Sequence, residues 1–158
     1  MEHQINLRLA AGRDVDVLVS FNQAMARETE AKELAVETLT AGVRNLLRND
    51  QYGFYVVAEG TDAAGRKEVV GSLMITYEWS DWRDAVFWWI QSVYVVPEFR
   101  RRGVYRRLYD FVKVRAAEGN ICGFRLYVER ENVAAQRTYE RLGMTEAHYK
   151  MYEEACKC

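Results

Sequence analysis

The chain has 158 residues, of which 49% are hydrophobic, and 22 Lys and Arg residues nearly balance 23 Asp and Glu residues. This length fits one globular domain, because a single core organises roughly 100 to 200 residues. The apolar content excludes disorder, low complexity and a collagen-like repeat. The formal net charge of -1 gives no overall positive field, so we expect neither nucleic acid nor a membrane surface as a partner.

The first half of the chain predicts a strand, two helices and two further strands. Residues 5–10 alternate apolar and polar side chains, which is the period of a half-buried strand. Asp14 is placed to cap a helix that ends near Arg27, and a second helical stripe begins at Val36 and stops at residues 48–50. Two β-branched and aromatic runs then predict strands joined by a turn, over residues 53–59 and 68–79.

The second half continues with an aromatic strand over residues 86–96, which ends at the only proline of the chain. A helical pattern follows to about Glu118, and residues 122–129 predict another strand. Asn132 is placed to cap a helix that ends at Leu142, and residues 148–155 alternate again as a last strand. The predicted order is β-α-α-β-β-β-α-β-α-β, a mixed α/β sheet domain.

Cysteine usage and the N-terminal segment bear on the compartment. Three cysteines cannot all pair within one chain, and a chain of this size needs no disulfide framework. The first 14 residues lack the continuous apolar stretch of a secretory signal, and no run approaches the roughly 18 apolar residues of a membrane span. We therefore expect a cytoplasmic protein without a transmembrane segment.

Residues 93–109 combine a strand, a tight basic turn and the start of a helix. A helix N-terminus presents unsatisfied N–H groups and the positive end of the helix dipole, and Gly103 lets the backbone approach a ligand. The arginines around this turn are Arg100, Arg101, Arg102, Arg106 and Arg107. The arrangement suits a pyrophosphate, but a basic run alone is more often a solvated helix start, and nucleic-acid contact is a third reading.

Two motifs carry a resemblance to a known family. Val95, Pro97, Arg100 and Gly103 match the acyl-CoA signature of the GCN5-related N-acetyltransferase (GNAT) superfamily, in which a small residue stands where this chain has Tyr105. Residues 126–144 match the second motif of that family through Asn132, Ala135, Tyr139, Gly143 and Met144. The sequence resembles this superfamily over nearly its full length, and two motifs at the family spacing are stronger than either alone.

The resemblance implies one GNAT-like domain over residues 1–158, with a mostly antiparallel central sheet and helices on both faces. It implies an acetyl-CoA-dependent N-acetyltransferase acting on a primary amine of a small molecule or a protein, with acetyl-CoA as co-substrate. Independently of the resemblance, His3 and His148 have no Cys or carboxylate at metal-ligand spacing, so we expect no metal. The alternative is an acyl-CoA-binding or interaction module that kept the fold and lost efficient turnover. A homodimer is compatible with the exposed aromatic residues.

The resemblance also implies site residues. The strand of Val93, Tyr94 and Val95 should bind the pantetheine arm through its backbone, and its N–H groups could stabilise the oxyanion. Asn132 should bind the same arm, and Tyr139 should protonate the departing thiolate, because a phenol is protonated near neutral pH. The residues implied for the pyrophosphate are Arg100, Arg101, Arg102, Gly103, Val104, Tyr105 and Arg106.

The amine acceptor must lose a proton before it attacks, and many relatives use a Glu where this chain has Gln91. An amide cannot serve as a base, so the proton must leave through water or through another carboxylate, with Glu78 and Asp81 as candidates. The acidic residues expected near the acceptor are Glu28, Glu30, Glu78 and Asp81, with four tryptophans nearby in sequence. Carboxylates beside indoles would suit a cationic amine, although a solvated turn explains Glu78 and Asp81 equally well.

Overall fold

The computed structural model describes residues 4–62 and 64–156. Its elements are β1 (Asn6–Leu9), α1 (Val15–Glu30), α2 (Val36–Arg48), β2 (Gly53–Thr61), β3 (Lys67–Ser80), β4 (Ala85–Val95), α3 (Val104–Ala116), β5 (Ile121–Arg125) and α4 (Val133–Arg141). The chain divides after Tyr127 into two compact units, so the first holds β1 to β5 with α1 to α3 and the second holds α4. No helix within the described ranges is long and apolar enough to cross a bilayer.

The five strands form one sheet in the order β1-β2-β3-β4-β5. The strands β1 to β4 pair with one another in antiparallel fashion, whereas β4 and β5 are parallel. A parallel pair needs a crossover, and α3 supplies it between β4 and β5. The mostly antiparallel sheet predicted from the sequence is confirmed.

Helices pack on both faces of this sheet. Alternate residues of a strand point to opposite faces, and on β2 the side chain of Tyr55 joins the core formed with α1 and α2. Its neighbour Phe54 lies on the other face, where the guanidinium of Arg115 from α3 lies over its ring at 5.7 Å from the ring centroid. Leu18 of α1 and Leu108 of α3 are both fully buried, and burying a leucine contributes about 1.5 to 3 kcal/mol.

Asp14 stands at the start of α1, as predicted, but its carboxylate makes no cap to that helix. It accepts hydrogen bonds from the Ala11 amide at 2.7 Å and from both terminal nitrogens of Arg8 at 2.7 and 2.9 Å. Burial opposes ionisation of Asp14, but the hydrogen bonds from Arg8 and Ala11 outweigh it and lower its pKa. The side chain therefore ties β1 to the turn before α1.

The last predicted strand is wrong. Residues 148–155 form no strand in the part of the chain that the structure describes, so the order ends β-α and the sheet has five strands there. Tyr149, Met151 and Tyr152 of this segment are exposed. Alternation of side chains makes a segment compatible with a sheet, but a strand also needs a neighbour that pairs with its backbone.

Candidate functional site

A β-bulge interrupts β4 near its C-terminal end. Two residues of β4, Ser92 and Val93, lie opposite the single residue Leu73 of β3. Ser92 has a φ of 49°, a left-handed conformation that costs a non-glycine residue about 1 to 3 kcal/mol. Bulges turn backbone groups out of the regular ladder and are frequent beside active sites. This one falls at the start of the segment 93–95 that was predicted to bind the pantetheine arm.

The two parallel strands separate in the same region. The pairing of β4 with β5 runs from Val86 to the pair of Trp89 with Arg125. β5 ends at Arg125, whereas β4 continues to Val95. No described residue of β5 pairs with β4 beyond Trp89, so this edge of β4 is open. An open edge offers N–H and C=O groups to an extended ligand.

The basic turn after β4 leads directly into α3. Gly103 has a φ of 75° at the N-cap, and a Cβ there would meet nothing within 4 Å. Glycine is therefore favoured at this position by the left-handed backbone angle and not by a lack of space for a side chain. Among the described residues no side chain caps the first turn of α3, so the N–H groups of that turn are available to an anion.

The predicted pyrophosphate residues are placed in different ways. Arg101, Arg102 and Arg106 are exposed around the start of α3. The Arg102 guanidinium lies over the Phe99 ring at 5.5 Å. The side chain of Val104, in contrast, is 2% exposed and belongs to the core, so only its backbone can reach a ligand.

Tyr105, which departs from the family signature, lies in the first turn of α3. Its ring stacks almost parallel on Tyr109, with 6.2 Å between the ring centroids and an interplanar angle of 9°. Tyr109 in turn meets Phe124 of β5 edge to face at 5.6 Å. The bulk of Tyr105 is therefore accommodated by an aromatic row on α3 and β5.

Glu28, at the end of α1, contacts the basic turn. It accepts hydrogen bonds from Arg100 Nη2 at 2.7 Å and from the Tyr94 hydroxyl at 3.1 Å. Arg100 Nε also donates to the Val95 carbonyl at 2.9 Å. Burial and the hydrogen bond to Glu28 raise the pKa of Tyr94, which keeps the phenol protonated as a donor. A residue predicted for the acceptor thus lies against a residue predicted for the pyrophosphate.

Glu78 of β3 is held from two sides. Trp89 Nε1 donates to its carboxylate at 2.7 Å, and Arg125 Nη1 donates to both of its oxygens at 2.9 and 2.8 Å. The hydrogen bond from Trp89, supported by Arg125, lowers the pKa of Glu78 against the opposing effect of burial. The Arg125 guanidinium lies 3.6 Å from the centroid of the Phe87 ring. A carboxylate held in this way is a poor general base at neutral pH.

Gln91 belongs to the same group. Its amide nitrogen donates to Thr76 Oγ1 at 2.6 Å. Gln91 lies opposite Met74 of β3, and Met74 packs against the core that α1 and α2 cover, so the group lies on the α1-α2 face of the sheet. We refer to these residues as the fork cluster: Thr76, Glu78, Phe87, Trp89, Gln91 and Arg125.

The four predicted acidic residues do not form one acidic patch. Glu28 contacts Tyr94 and Glu78 lies opposite Phe87, and these two positions of β4 are separated by about 23 Å at roughly 3.3 Å per residue. Glu30 is exposed and pairs with Lys32 at the end of α1. Asp81 is exposed in the β3-β4 turn, where it accepts a hydrogen bond from the Trp82 amide at 2.9 Å.

The second unit carries the other predicted motif. Asn132 caps α4 as predicted, because its side-chain oxygen accepts a hydrogen bond from the Ala135 amide at 3.1 Å. Tyr139 lies in α4 with a half-buried side chain, and burial raises the pKa of its phenol. Gly143 follows the helix with a φ of 93°, the left-handed position expected from the sequence.

Comparison with known families decides the identity of this arrangement. The model of the acetyltransferase (GNAT) family matches residues 18–144. The chain belongs to the GNAT family. No curated protein sequence matched the chain.

Solved structures agree with the GNAT assignment. A possible acetyltransferase from Clostridium difficile 630 is 45% identical, with 98% of this chain and 99% of that chain covered and a TM-score of 0.88. The fold also matches a predicted acetyltransferase with acetyl-CoA from Clostridium acetobutylicum, at 19% identity, 96% coverage of both chains and a TM-score of 0.77. Aminoglycoside N-acetyltransferase AAC(6')-Iy in complex with CoA shares it at 16% identity, with 99% and 98% covered and a TM-score of 0.76.

Sequence reasoning missed one charged residue of this GNAT chain. Arg125 is the last residue of β5, and it links Glu78 of β3 to the point where β4 and β5 separate. A signal was present, because an arginine ends a short strand whose neighbours are apolar or small. The partner Glu78 is 47 residues away in sequence, so the pairing could not be derived from local spacing.

Proposed function

We propose that the protein is an acetyl-CoA-dependent N-acetyltransferase that transfers an acetyl group to a primary amine. One observation carries the proposal: the open, bulged edge of β4 leads into an uncapped, arginine-rich start of α3 in a chain of the GNAT family. An extended ligand that ends in a diphosphate fits this sequence of features, because a strand edge binds the arm and a helix start binds the anion.

The residues present fit acetyl-CoA as a co-substrate. The backbone of residues 93–95 is offered to the pantetheine arm, and the amides of the α3 start together with Arg101, Arg102 and Arg106 are offered to the diphosphate. Arg100 joins Glu28 to the end of β4. Acetyl-CoA complexes among structures of this fold support the assignment.

The chemistry is an acyl transfer in which the amine nitrogen forms a bond to the thioester carbonyl carbon and the carbon–sulfur bond breaks. Backbone N–H groups at the bulge would stabilise the negative charge that develops on the carbonyl oxygen. The ammonium form of the acceptor gives its first proton to water, because Gln91 is an amide and Glu78 is already held by Trp89 and Arg125. Gln91 donates to Thr76, which leaves its carbonyl oxygen to accept a hydrogen bond from the amine.

We assign the protonation of the CoA thiolate to Tyr139, and the second proton of the acylated nitrogen then restores the phenol through water. The assignment rests on the match of residues 126–144 to the family motif and on the chemistry of a phenol. Burial raises the pKa of Tyr139 above its usual value of 10.0, so the group is protonated at neutral pH and can act as an acid. Asn132 would hydrogen-bond the pantetheine arm through its amide nitrogen, since its oxygen caps α4.

The test is a calorimetric titration of the purified protein with acetyl-CoA, with desulfo-CoA and a DNA duplex as comparisons, followed by an amine screen that measures thiol release. We expect saturable binding of both CoA forms, no binding of the duplex and amine-dependent thiol release. If neither CoA form binds, the acetyltransferase proposal is wrong.

A second candidate is an acyl-CoA-binding module without efficient turnover. It is favoured by Gln91, which stands where relatives place a carboxylate base. The same experiment separates the two functions. Tight acetyl-CoA binding without thiol release above background hydrolysis, across a broad amine panel, would favour the binding module.

A further inference from the structure

The fork cluster contains a guanidinium with unused hydrogen-bond donors. Arg125 uses a single nitrogen, Nη1, for both oxygens of Glu78. Its Nε and Nη2 groups make no hydrogen bond in the part of the chain that the structure describes. The arginine side chain remains 33% exposed. Guanidinium groups carry five N–H donors in a fixed plane, so more than half of the donors of Arg125 remain available.

The geometry of these free donors is specific. Nε–H and one Nη2–H of a guanidinium point in the same direction and match the two oxygens of a carboxylate. Arg125 cannot swing freely, because Glu78 holds Nη1 and the Phe87 ring lies 3.6 Å beneath the guanidinium. A donor pair that is already oriented loses little conformational entropy when it binds.

The position of Arg125 relates it to the proposed reaction. It pairs with Trp89 at the last contact between β4 and β5, and the bulge of β4 begins three residues further along. At about 3.3 Å per residue, the pair of Trp89 and Arg125 therefore lies about 10 Å from the bulge along the strand. Both Trp89 and Gln91 lie on the same face of the sheet as Arg125.

We propose that Arg125 binds a carboxylate of the acceptor, so that the substrate is an amino acid or another amine that carries a carboxylate within about 10 Å of the reacting nitrogen. This inference rests on the proposed acetyltransferase function. The sequence predicts a cationic acceptor because of its acidic residues. In the structure, however, Arg125 neutralises the charge of Glu78, and the free Nε and Nη2 groups of Arg125 present positive charge.

The alternative for Arg125 is structural. The ion pair joins β3 to β5 across β4, and exposed pairs of this kind contribute at most about 1 kcal/mol to stability. Loss of a purely structural ion pair would change kcat/KM equally for all acceptors. A carboxylate site, in contrast, is lost only for acceptors that carry the carboxylate.

The experiment compares acceptors that differ only in the carboxylate: lysine with 1,5-diaminopentane, and β-alanine with ethylamine. O-phosphoethanolamine tests whether any anion suffices. We expect the wild-type kcat/KM to favour the carboxylate member of each pair about 10-fold to 100-fold, as a charged hydrogen bond predicts. Arg125→Gln should abolish the preference through KM with little change in kcat, and Arg125→Lys should retain part of it.

Arg66→Gln is the matched control, because Arg66 also pairs with a carboxylate, Asp62, but in the β2-β3 turn. It should leave the preference unchanged. No preference in the wild-type protein, or an equal loss for both members of a pair in Arg125→Gln, would overturn the inference.

A binding measurement keeps the inference separate from the proposed function. The N-acetylated forms of lysine and 1,5-diaminopentane can be titrated into the protein in the presence of CoA. Binding that requires both the carboxylate and Arg125 supports the carboxylate site even if no amine is acetylated. Equal affinity for the two probes, or affinity that survives Arg125→Gln, contradicts it.

Discussion

Individual acidic residues acquire their roles from partners that the sequence does not reveal. Glu28 and Glu30 lie two residues apart at the end of α1, and the sequence gives them the same expected role. In the structure Glu28 contacts Arg100 and Tyr94, whereas Glu30 pairs with Lys32. The contacts of Glu28 therefore place it beside the proposed diphosphate site and not beside the fork cluster.

This difference leads to a prediction for Glu28→Gln. Removing the carboxylate removes a negative charge near the proposed diphosphate and releases Arg100, so acetyl-CoA should bind up to about 5-fold more tightly, as expected from an exposed ion pair worth less than about 1 kcal/mol. Calorimetry measures the Kd of acetyl-CoA. Glu30→Gln is the control and should leave the Kd unchanged, since Glu30 pairs within its own segment.

A different result would return Glu28 to the acceptor. If Glu28→Gln raised the KM of the amine and left the Kd of acetyl-CoA unaltered, Glu28 would belong to the acceptor site, as the sequence-based hypothesis has it. The KM of the amine and the Kd of acetyl-CoA therefore distinguish a role of Glu28 in the acceptor site from a role beside the diphosphate.

Tyr139→Phe tests the proposed acid. Loss of a positioned acid typically lowers the rate by about 100-fold to 10,000-fold, so kcat should fall in this range while the Kd of acetyl-CoA stays the same. In the wild-type protein the activity should decline only as the pH rises through the pKa of Tyr139, which burial raises above 10.0. Tyr152→Phe, at an 89% exposed residue of the same unit, is the control. Unchanged turnover in Tyr139→Phe would remove the role.

Residues whose function is local could be predicted from the sequence. The caps of α4 at Asn132 and Gly143 follow from neighbours within a few positions, and both are confirmed. The positive φ of Ser92 and the pairing of Arg125 with Glu78 could not be predicted, because each depends on another strand. The candidate site was therefore predictable at the basic turn and incomplete in the fork cluster.

At the scale of elements, the sequence predicts a strand well when its partners are adjacent in the chain. β2, β3 and β4 form consecutive antiparallel pairs, and the sequence predicts all three. β5 ends at Arg125, four residues before the predicted end at residue 129. Beyond Trp89 it has no pairing with β4, so alternation alone does not extend it. The strand predicted over residues 148–155 is absent for the same reason, since these residues have no described strand with which to pair.

The pairing of β2 with β3 depends on Gly53. A Cβ at Gly53 would lie 1.8 Å from the Ile75 carbonyl oxygen, and its φ is 145°. Gly53→Ala must therefore shift the backbone of one strand, and we expect it to lower the free energy of unfolding by about 2 to 4 kcal/mol. Urea denaturation followed by circular dichroism measures this change.

Gly42→Ala is the opposite case and serves as the control. Gly42 lies in α2, and a Cβ there would meet nothing within 4 Å. Alanine should raise the stability by about 0.5 to 1 kcal/mol, because it loses less conformational freedom in a helix. Equal changes in the free energy of unfolding for the two substitutions would show that the lack of space for a Cβ at Gly53 does not control the strand pairing.

At the scale of the whole molecule, the near-neutral net charge of -1 conceals an uneven distribution. Five arginines lie within residues 100–107, around the start of α3, while acidic residues predominate elsewhere. A charged ligand is attracted by the local field and not by the net charge, and clefts lined by one sign of charge concentrate it. Binding of a polyanionic ligand to this turn should therefore depend on salt even though the protein is nearly neutral.

The salt dependence of acetyl-CoA binding tests this distribution. Raising NaCl from 50 to 500 mM shortens the screening length to about 4 Å, so the Kd of acetyl-CoA should increase by about 3-fold to 10-fold. Replacing Arg101 and Arg102 by Gln should flatten this dependence, because both side chains are exposed at the turn. Arg44→Gln, at an exposed position of α2, should preserve it. A flat dependence in the wild-type protein would mean that backbone amides and apolar contacts bind the ligand without help from the arginines, whereas an equal effect of Arg44→Gln would assign the attraction to the charge of the protein as a whole.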